Sequence, residues 1–277
     1  MYKKRRRHLA VTFALFKVAI LATLLIFISC GMILTVYGIL AKGYNLKQLG
    51  KMPLPSIVYD CHGNEIGKIH GSKSKFIALN AVSSDFQKAL IIREDVRFYE
   101  HKGIDPAGIL RAFYRNVFKK KREGASTITM QLARNSFSEL MSQKTLHRKL
   151  IEAQLARRIE KEYSKDQILE FYINRIFFGS GIYGIENASL SYFGKKAIDM
   201  NLSEAAMLAG IIRGPNRFSP FRNFKAANEQ RKTVLGRMHQ ERVITRNEFQ
   251  NAMLMGVKIL PQNFNKKERV KSYAMDA

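Results

Sequence analysis

The chain opens on a basic run, Lys3-Lys4-Arg5-Arg6-Arg7, and then turns apolar, with Lys17 the last charge before Lys42. Residues 18–41 carry no formal charge, and about 24 residues at ~1.5 Å each reach ~36 Å as an α-helix, enough to cross a bilayer core with some tilt. A cleavable signal has an apolar stretch of only about 7–15 residues. Lipoprotein processing at Cys30 would find Phe27 where a small aliphatic residue is expected and would leave 31–41 as an apolar tail without purpose. The pattern therefore predicts a cytoplasmic basic tail over 1–8 and one uncleaved transmembrane helix over 9–41. Cations before the span place the N-terminus in the cytoplasm and everything after Lys42 outside it.

Residues 42–80 read as a connector. Ser56-Ile57-Val58-Tyr59 and Glu65-Ile66-Gly67-Lys68-Ile69 flank a His62-Gly63-Asn64 turn, the signature of a small β-hairpin. From residue 84 the period becomes helical and stays so. Ser84 with Gln87 predicts a capping box ahead of Phe86, Ala89, Leu90 and Ile92. Asp105-Pro106 opens a helix to about Phe118, with the basic run 119–122 at its C-terminal end, where the dipole favours cations. Further starts lie at Ser126, at Ser164 with Gln167 and at Ser203 with Glu204, and Gly214-Pro215 is a stop after Ile212. Helix resumes from Asn223 and gives way to a polar tail. The expected architecture is mainly α: a domain over 81–222 and a helical segment over 223–277.

Composition narrows the partner. With 46% hydrophobic residues among 277 there is enough for a real core in one or two domains. The 47 Lys+Arg against 22 Asp+Glu leave +25, which calls for an anionic partner: nucleic acid, an anionic membrane surface or a phosphate-bearing substrate. No nucleic-acid-binding motif accompanies the charge, so that class is set aside. The two cysteines, Cys30 and Cys61, form neither a Cys-x-x-Cys nor a Cys–His cluster, which leaves a disulfide and structural zinc without support.

Three clusters could carry chemistry. Glu94-Asp95-Val96-Arg97-Phe98-Tyr99-Glu100-His101-Lys102-Gly103 follows the apolar Ala89-Leu90-Ile91-Ile92, so its leading acid leaves a buried element; apolar walls suit a carboxyl to general acid or base work. Gly124-Ala125-Ser126-Thr127 precedes a helix start whose free N–H groups can hold phosphate oxygens, although the Gly-Lys-Ser/Thr ending of a Walker loop is absent. On the 145–160 helix, Glu152 shares an arc with Leu155, Ala156 and Ile159, with Arg148 one turn earlier: a buried ion pair or a site residue.

In order and spacing these segments resemble the glycosyltransferase domain of peptidoglycan polymerases, the family of the monofunctional glycosyltransferases and of the N-terminal half of bifunctional class A penicillin-binding proteins. The likeness rests on Glu94-Asp95-x-x-Phe98-x-x-His101-x-Gly103, Gly124-x-Ser126-Thr127-Ile128-Thr129-x-Gln131 and Arg148-Lys149-x-x-Glu152-Ala153. It continues through Ile168-Leu169-Glu170-x-Tyr172-x-Asn174, Phe178-Gly179, Tyr183-Gly184-x-Glu186 and Leu208-Ala209-Gly210, and spans about residues 55–222. It implies a lysozyme-like helical lobe with a membrane-embedded jaw. It also implies Glu94 and Glu152 as catalytic, with Asp95, Arg97, Phe98, His101, Ser126, Thr127, Gln131, Arg134, Lys144, Arg148, Lys149, Asn174, Tyr183 and Glu186 around the substrate. The implied substrates are lipid II and the nascent glycan chain, beside membrane lipids and other cell-wall synthesis or division proteins. No organic cofactor is implied, and a divalent cation, Mg or Mn, would have Glu94 or Asp95 as its ligand.

The chain departs from that pattern at Met130, where the family usually has a glutamine, and at Lys144, which keeps the charge of a frequent arginine but loses its bidentate geometry. Ile151 stands at an often basic position and Asn187 where alanine is common. The nearest alternative is a membrane-bound lytic glycosidase, since two acids can also activate water. Ser72-Lys73-Ser74-Lys75 fits the Ser-x-x-Lys of a transpeptidase by form alone, because no Lys-Thr-Gly follows. The stretch after Asn223 resembles the lead into a transpeptidase domain, so the sequence is compatible with a monofunctional enzyme and with part of a bifunctional one.

Overall fold

The structure is a computed structural model, and it describes residues 2–51, 56–69, 76–119, 124–137, 140 and 145–261. Ser72 and Lys75, the cations at 120–122, Lys144 and the tail beyond 261 lie outside these.

Helix α1 runs without a break over Tyr2–Lys42, so the basic run is helical too. Its Leu15–Lys42 stretch is the one helix among the described residues long and apolar enough to cross a membrane. Phe16, Leu25 and Phe27 are more than half exposed, an apolar surface that hydrocarbon stabilises and water does not. Among the described residues, its C-terminal turns pack against α5 (Leu146–Glu162). There Tyr37 Oη and His147 Nδ1 lie 3.0 Å apart, Gln154 Nε2 donates to the Leu34 carbonyl at 3.3 Å, and Arg158 donates to the carbonyls of Ala41 and Tyr44.

After α1, strands β1 (Ser56–Tyr59) and β2 (Glu65–Ile69) pair antiparallel, Ser56 opposite Ile69. The remaining described elements are helices: α2 (Ser84–Glu94), α3 (Pro106–Phe118), α4 (Ile128–Ser136), α6 (Lys165–Ile173), α7 (Ile185–Phe193), α8 (Leu202–Ile211), α9 (Phe224–Gln240) and α10 (Arg246–Leu254). Helix α8 is the hub. Nearly every residue in it is buried, as a helix apolar on all sides requires, and it packs against α2 and α9. Small residues permit the approach: a Cβ on Gly210 would lie 2.9 Å from the Gln230 backbone. On the other side α4 packs against α5 and α6.

Helix ends follow the sequence signals with three exceptions, the mildest being Thr127 in place of Ser126 as the cap of α4. Ser164 and Gln167 form the expected capping box of α6. Ser84 does not cap α2, because Ser83 is the N-cap residue and Gln87 reaches back to the Leu79 and Val82 carbonyls at 3.0 Å instead. At α8 the box is made by Asn201 with Glu204, ahead of Ser203. Helix α3 begins at Pro106 as expected, and Ile109, Leu110, Phe113, Tyr114, Val117 and Phe118 stand exposed along it. That makes α3 a second exposed apolar surface in addition to α1.

Candidate active site

Helix α2 ends in the first cluster, and the next turns show why its residues are of these types. The Asp95 carboxylate sits 2.9 Å from His101 Nε2 and accepts the Ile128 backbone N–H at 3.0 Å. His101 Nδ1 in turn accepts the Gly103 N–H at 3.2 Å, so its ring proton is on Nε2, facing Asp95. Thr127 caps α4 by accepting the Met130 N–H and donates its hydroxyl to the Gly103 carbonyl at 2.7 Å. These bonds tie the 95–103 loop to the start of α4. Asp95, His101 and Thr127, expected at the substrate, are buried and bonded within the clamp, and Asp95 and Thr127 also line the groove that holds Glu94. Phe98 is fully buried under the Lys165 ammonium, 4.4 Å from the ring centre, and serves the core.

The clamp leaves Glu94 as the group presented. Its side chain is 8% exposed. Oε2 accepts from Gln131 Nε2 at 2.8 Å, and Gln131 Oε1 accepts from Tyr172 Oη at 2.8 Å. Tyr172 is buried, which with the neighbouring Glu94 charge raises its phenol well above the ordinary value, so it remains a donor and fixes which way the Gln131 amide points. Glu94 Oε1 has no hydrogen-bond partner; its nearest cation is Arg213 Nε at 3.9 Å.

Glu94 lines a groove together with Arg93, Arg111, Arg213 and Arg237 and with Gly124, Ala125 and Ser126. Burial, with Arg213 and Arg237 as like charges, brings the Arg93 guanidinium down to about 10. Cations gathered this closely are relieved by an anion. Sequence reasoning missed these arginines: Arg93 and Arg213 adjoin recognised signals, whereas Arg237 comes from α9, beyond every motif, and reaches the Arg93 carbonyl at 3.3 Å.

Glu152 is reached through a cation. It is fully buried, with Lys149 Nζ 2.6 Å from Oε2 and Arg148 Nε 3.0 Å from Oε1, the latter an ion contact without hydrogen-bond alignment. Lys149 Nζ also donates to Ser126 Oγ at 2.8 Å. Glu152 thus holds a lysine on Ser126, a residue of the groove wall, and is not itself among the residues that line the groove. Arg134 is half-buried near Tyr172.

Four other expected residues stand apart from the Glu94 groove. Asn174 spends its amide on the Ile77 backbone and the Glu170 carbonyl. Glu186 accepts the Ala197 N–H at 2.8 Å, Tyr183 stacks near Phe177 with centroids 4.7 Å apart, and Arg97 pairs with Asp105. A cation site does not fit these residues. The described side chains gather no cluster of three or more metal-binding groups, and Asp95, one of the two expected ligands, has its oxygens engaged by His101 and Ile128.

The transglycosylase family matches residues 62–239. Penicillin-binding protein 1F of Bacillus subtilis is 40% identical over 194 residues, 70% of this chain and 27% of the relative. Penicillin-binding protein 1A of Escherichia coli is 41% identical over 201 residues, 72% of this chain and 23% of the relative. The chain thus spans about a quarter of the length of these penicillin-binding proteins. A Cupriavidus necator protein whose name carries the word transglycosylase is 41% identical over 179 residues, 65% of this chain and 77% of the relative. With the matched region holding the clamp, Glu94 and the Lys149–Glu152 pair together, the chain belongs to the transglycosylase family of peptidoglycan glycosyltransferases.

Proposed function

We propose that the chain polymerises lipid II into β-1,4-linked glycan strands at the outer face of a bacterial plasma membrane, anchored by α1 with its basic N-terminus in the cytoplasm. Glu94 is the general base. The carrying observation is the asymmetry of its carboxylate: Oε2 accepts from Gln131, whose amide Tyr172 orients, while Oε1 is buried without a hydrogen-bond donor, 3.9 Å from Arg213, in a residue that lines the arginine-rich groove. The acceptor sugar's 4-hydroxyl attacks the donor's anomeric carbon and gives its proton to Oε1. The bond from that carbon to the phosphate oxygen breaks, and the pyrophosphate leaves with the electron pair. One in-line displacement inverts the α-linked donor to a β-glycoside.

The leaving group needs its charge stabilised more than its oxygen protonated. Lys149, oriented by Glu152 toward Ser126, and the arginines of the groove supply that field in a partly dehydrated site. No step is routed through a divalent cation, because the residues named for one do not form a site. Lytic hydrolysis would require a second acid facing the sugar, and Glu152 is closed off behind Lys149 and Arg148.

Glu94→Gln keeps the side chain's volume and removes the base. Polymerisation of purified lipid II should fall at least about 100-fold, the lower range for loss of a general base, with the melting temperature unchanged. Wild-type chain lengths and rates from this variant would remove Glu94 from the mechanism.

A further inference from the structure

Where α1 ends, the chain passes from apolar to polar, and Ala41 to Tyr44 mark the level at which bilayer hydrocarbon gives way to headgroups. Arg158 of α5 donates to the carbonyls of Ala41 and Tyr44 and fixes that part of α5 at this level. The preceding residue, Arg157, forms one wall of a cavity of about 590 Å³. The other walls include Glu100, Lys102, Ile104 and Pro106-Ala107, the first turn of α3. The loop can close on α5 because Gly103, at φ +89°, lies against the Ala156 carbonyl, where a Cβ would come within 2.7 Å.

The charges around this cavity are unusual. Arg97 and Asp105 neutralise each other. Glu100, Lys102 and Arg157 are exposed, and among the described residues none of the three has an ion-pair or side-chain hydrogen-bond partner. Two free cations and one free carboxylate thus face one space at headgroup depth. A simple anion would suit the cations and meet Glu100 as a like charge; a simple cation would do the reverse. A phosphodiester carrying a protonated amine satisfies both. From the same wall runs α3, whose exposed Leu110, Phe113 and Phe118 offer an apolar track. The cavity shares only Asp105 with the Glu94 groove.

We propose that this cavity holds the headgroup of a zwitterionic membrane phospholipid of the phosphatidylethanolamine type. The phosphate meets Lys102 and Arg157, the ammonium meets Glu100, and the acyl chains follow α3. The inference rests on the membrane anchor and not on the chemistry at Glu94.

The test is native mass spectrometry of the full chain in detergent, titrated separately with dihexanoyl-phosphatidylethanolamine, the phosphatidylglycerol and phosphatidylcholine analogues, and inorganic phosphate. Phosphatidylethanolamine should bind best, and the double variant K102A/R157A should weaken it about tenfold or more, as loss of charge-assisted contacts does. Glu100→Gln should bring phosphatidylglycerol level with phosphatidylethanolamine. Unchanged binding in the double variant, phosphatidylglycerol binding equally well to the wild type, or inorganic phosphate competing on equal terms would each overturn the proposal, the last by reducing the site to one for a free anion. No lipid II and no turnover enter the measurement, so its failure would leave the glycosyltransferase reading standing.

Discussion

Glu152 illustrates how burial changes the meaning of a residue. Recognised by motif and placed among apolar neighbours, it reads as a second catalytic acid, removable as the amide without harm to the fold. The structure encloses it completely between Arg148 and Lys149. Removing one partner of a buried pair leaves the other charge uncompensated and typically costs about 3–5 kcal/mol. Glu152→Gln should therefore lower the melting temperature markedly as well as abolish polymerisation, whereas Glu94→Gln should leave melting alone. Equal melting of the two variants would make Glu152 a substrate-facing acid after all. Asp95 and His101 follow the same logic: their polar atoms are matched to one another and to backbone N–H groups, so they shape the loop that presents Glu94.

At the scale of elements, α3 stands out, since one helix of a water-facing domain exposes six large apolar side chains. With this exposed apolar face, it is built to rest in the bilayer interface. The chain has no tryptophan, so Phe113→Trp supplies a single reporter. Reconstituted into vesicles with brominated acyl chains, its fluorescence should be quenched several-fold relative to unbrominated lipid. An unquenched signal would place α3 outside the membrane. The N-terminal caps belong to this scale too. Ser164 with Gln167 is local and came out as read, while Gln87 was drawn away by carbonyls of the preceding turn, a partner that no local window weighs.

For the molecule as a whole, the active-site loop and α3 are joined by the Arg97–Asp105 pair. Partial burial raises the Asp105 carboxyl, but the Gly108 backbone amide and the Arg97 guanidinium outweigh it, so it titrates below its ordinary value of 3.8. A carboxyl depressed in the folded state contributes stability that is present above the ordinary value and is lost as pH falls through the folded one. Melting of wild type and Asp105→Asn should differ at pH 6 by about 1 kcal/mol, the upper end for a partly exposed pair, and converge once the pH has fallen through the depressed value of the folded state. A gap that persists in acid would assign the effect to packing.

Sequence alone determined the long apolar helix, the mainly helical class and the acid that ends α2, because each is a matter of near neighbours: an uncharged run of bilayer length, a period of 3.6, an acid closing an apolar helix. Only the tertiary structure decided which polar residues are spent on one another. Tyr172 meets Gln131 across 41 positions and Arg237 meets the Arg93 carbonyl across 144, and a side chain's freedom to meet a substrate depends on whether such a distant partner has already satisfied it. That is why the bonds that Asp95, His101, Thr127 and Asn174 make with their neighbours, and the arginines of the groove, emerged only in three dimensions.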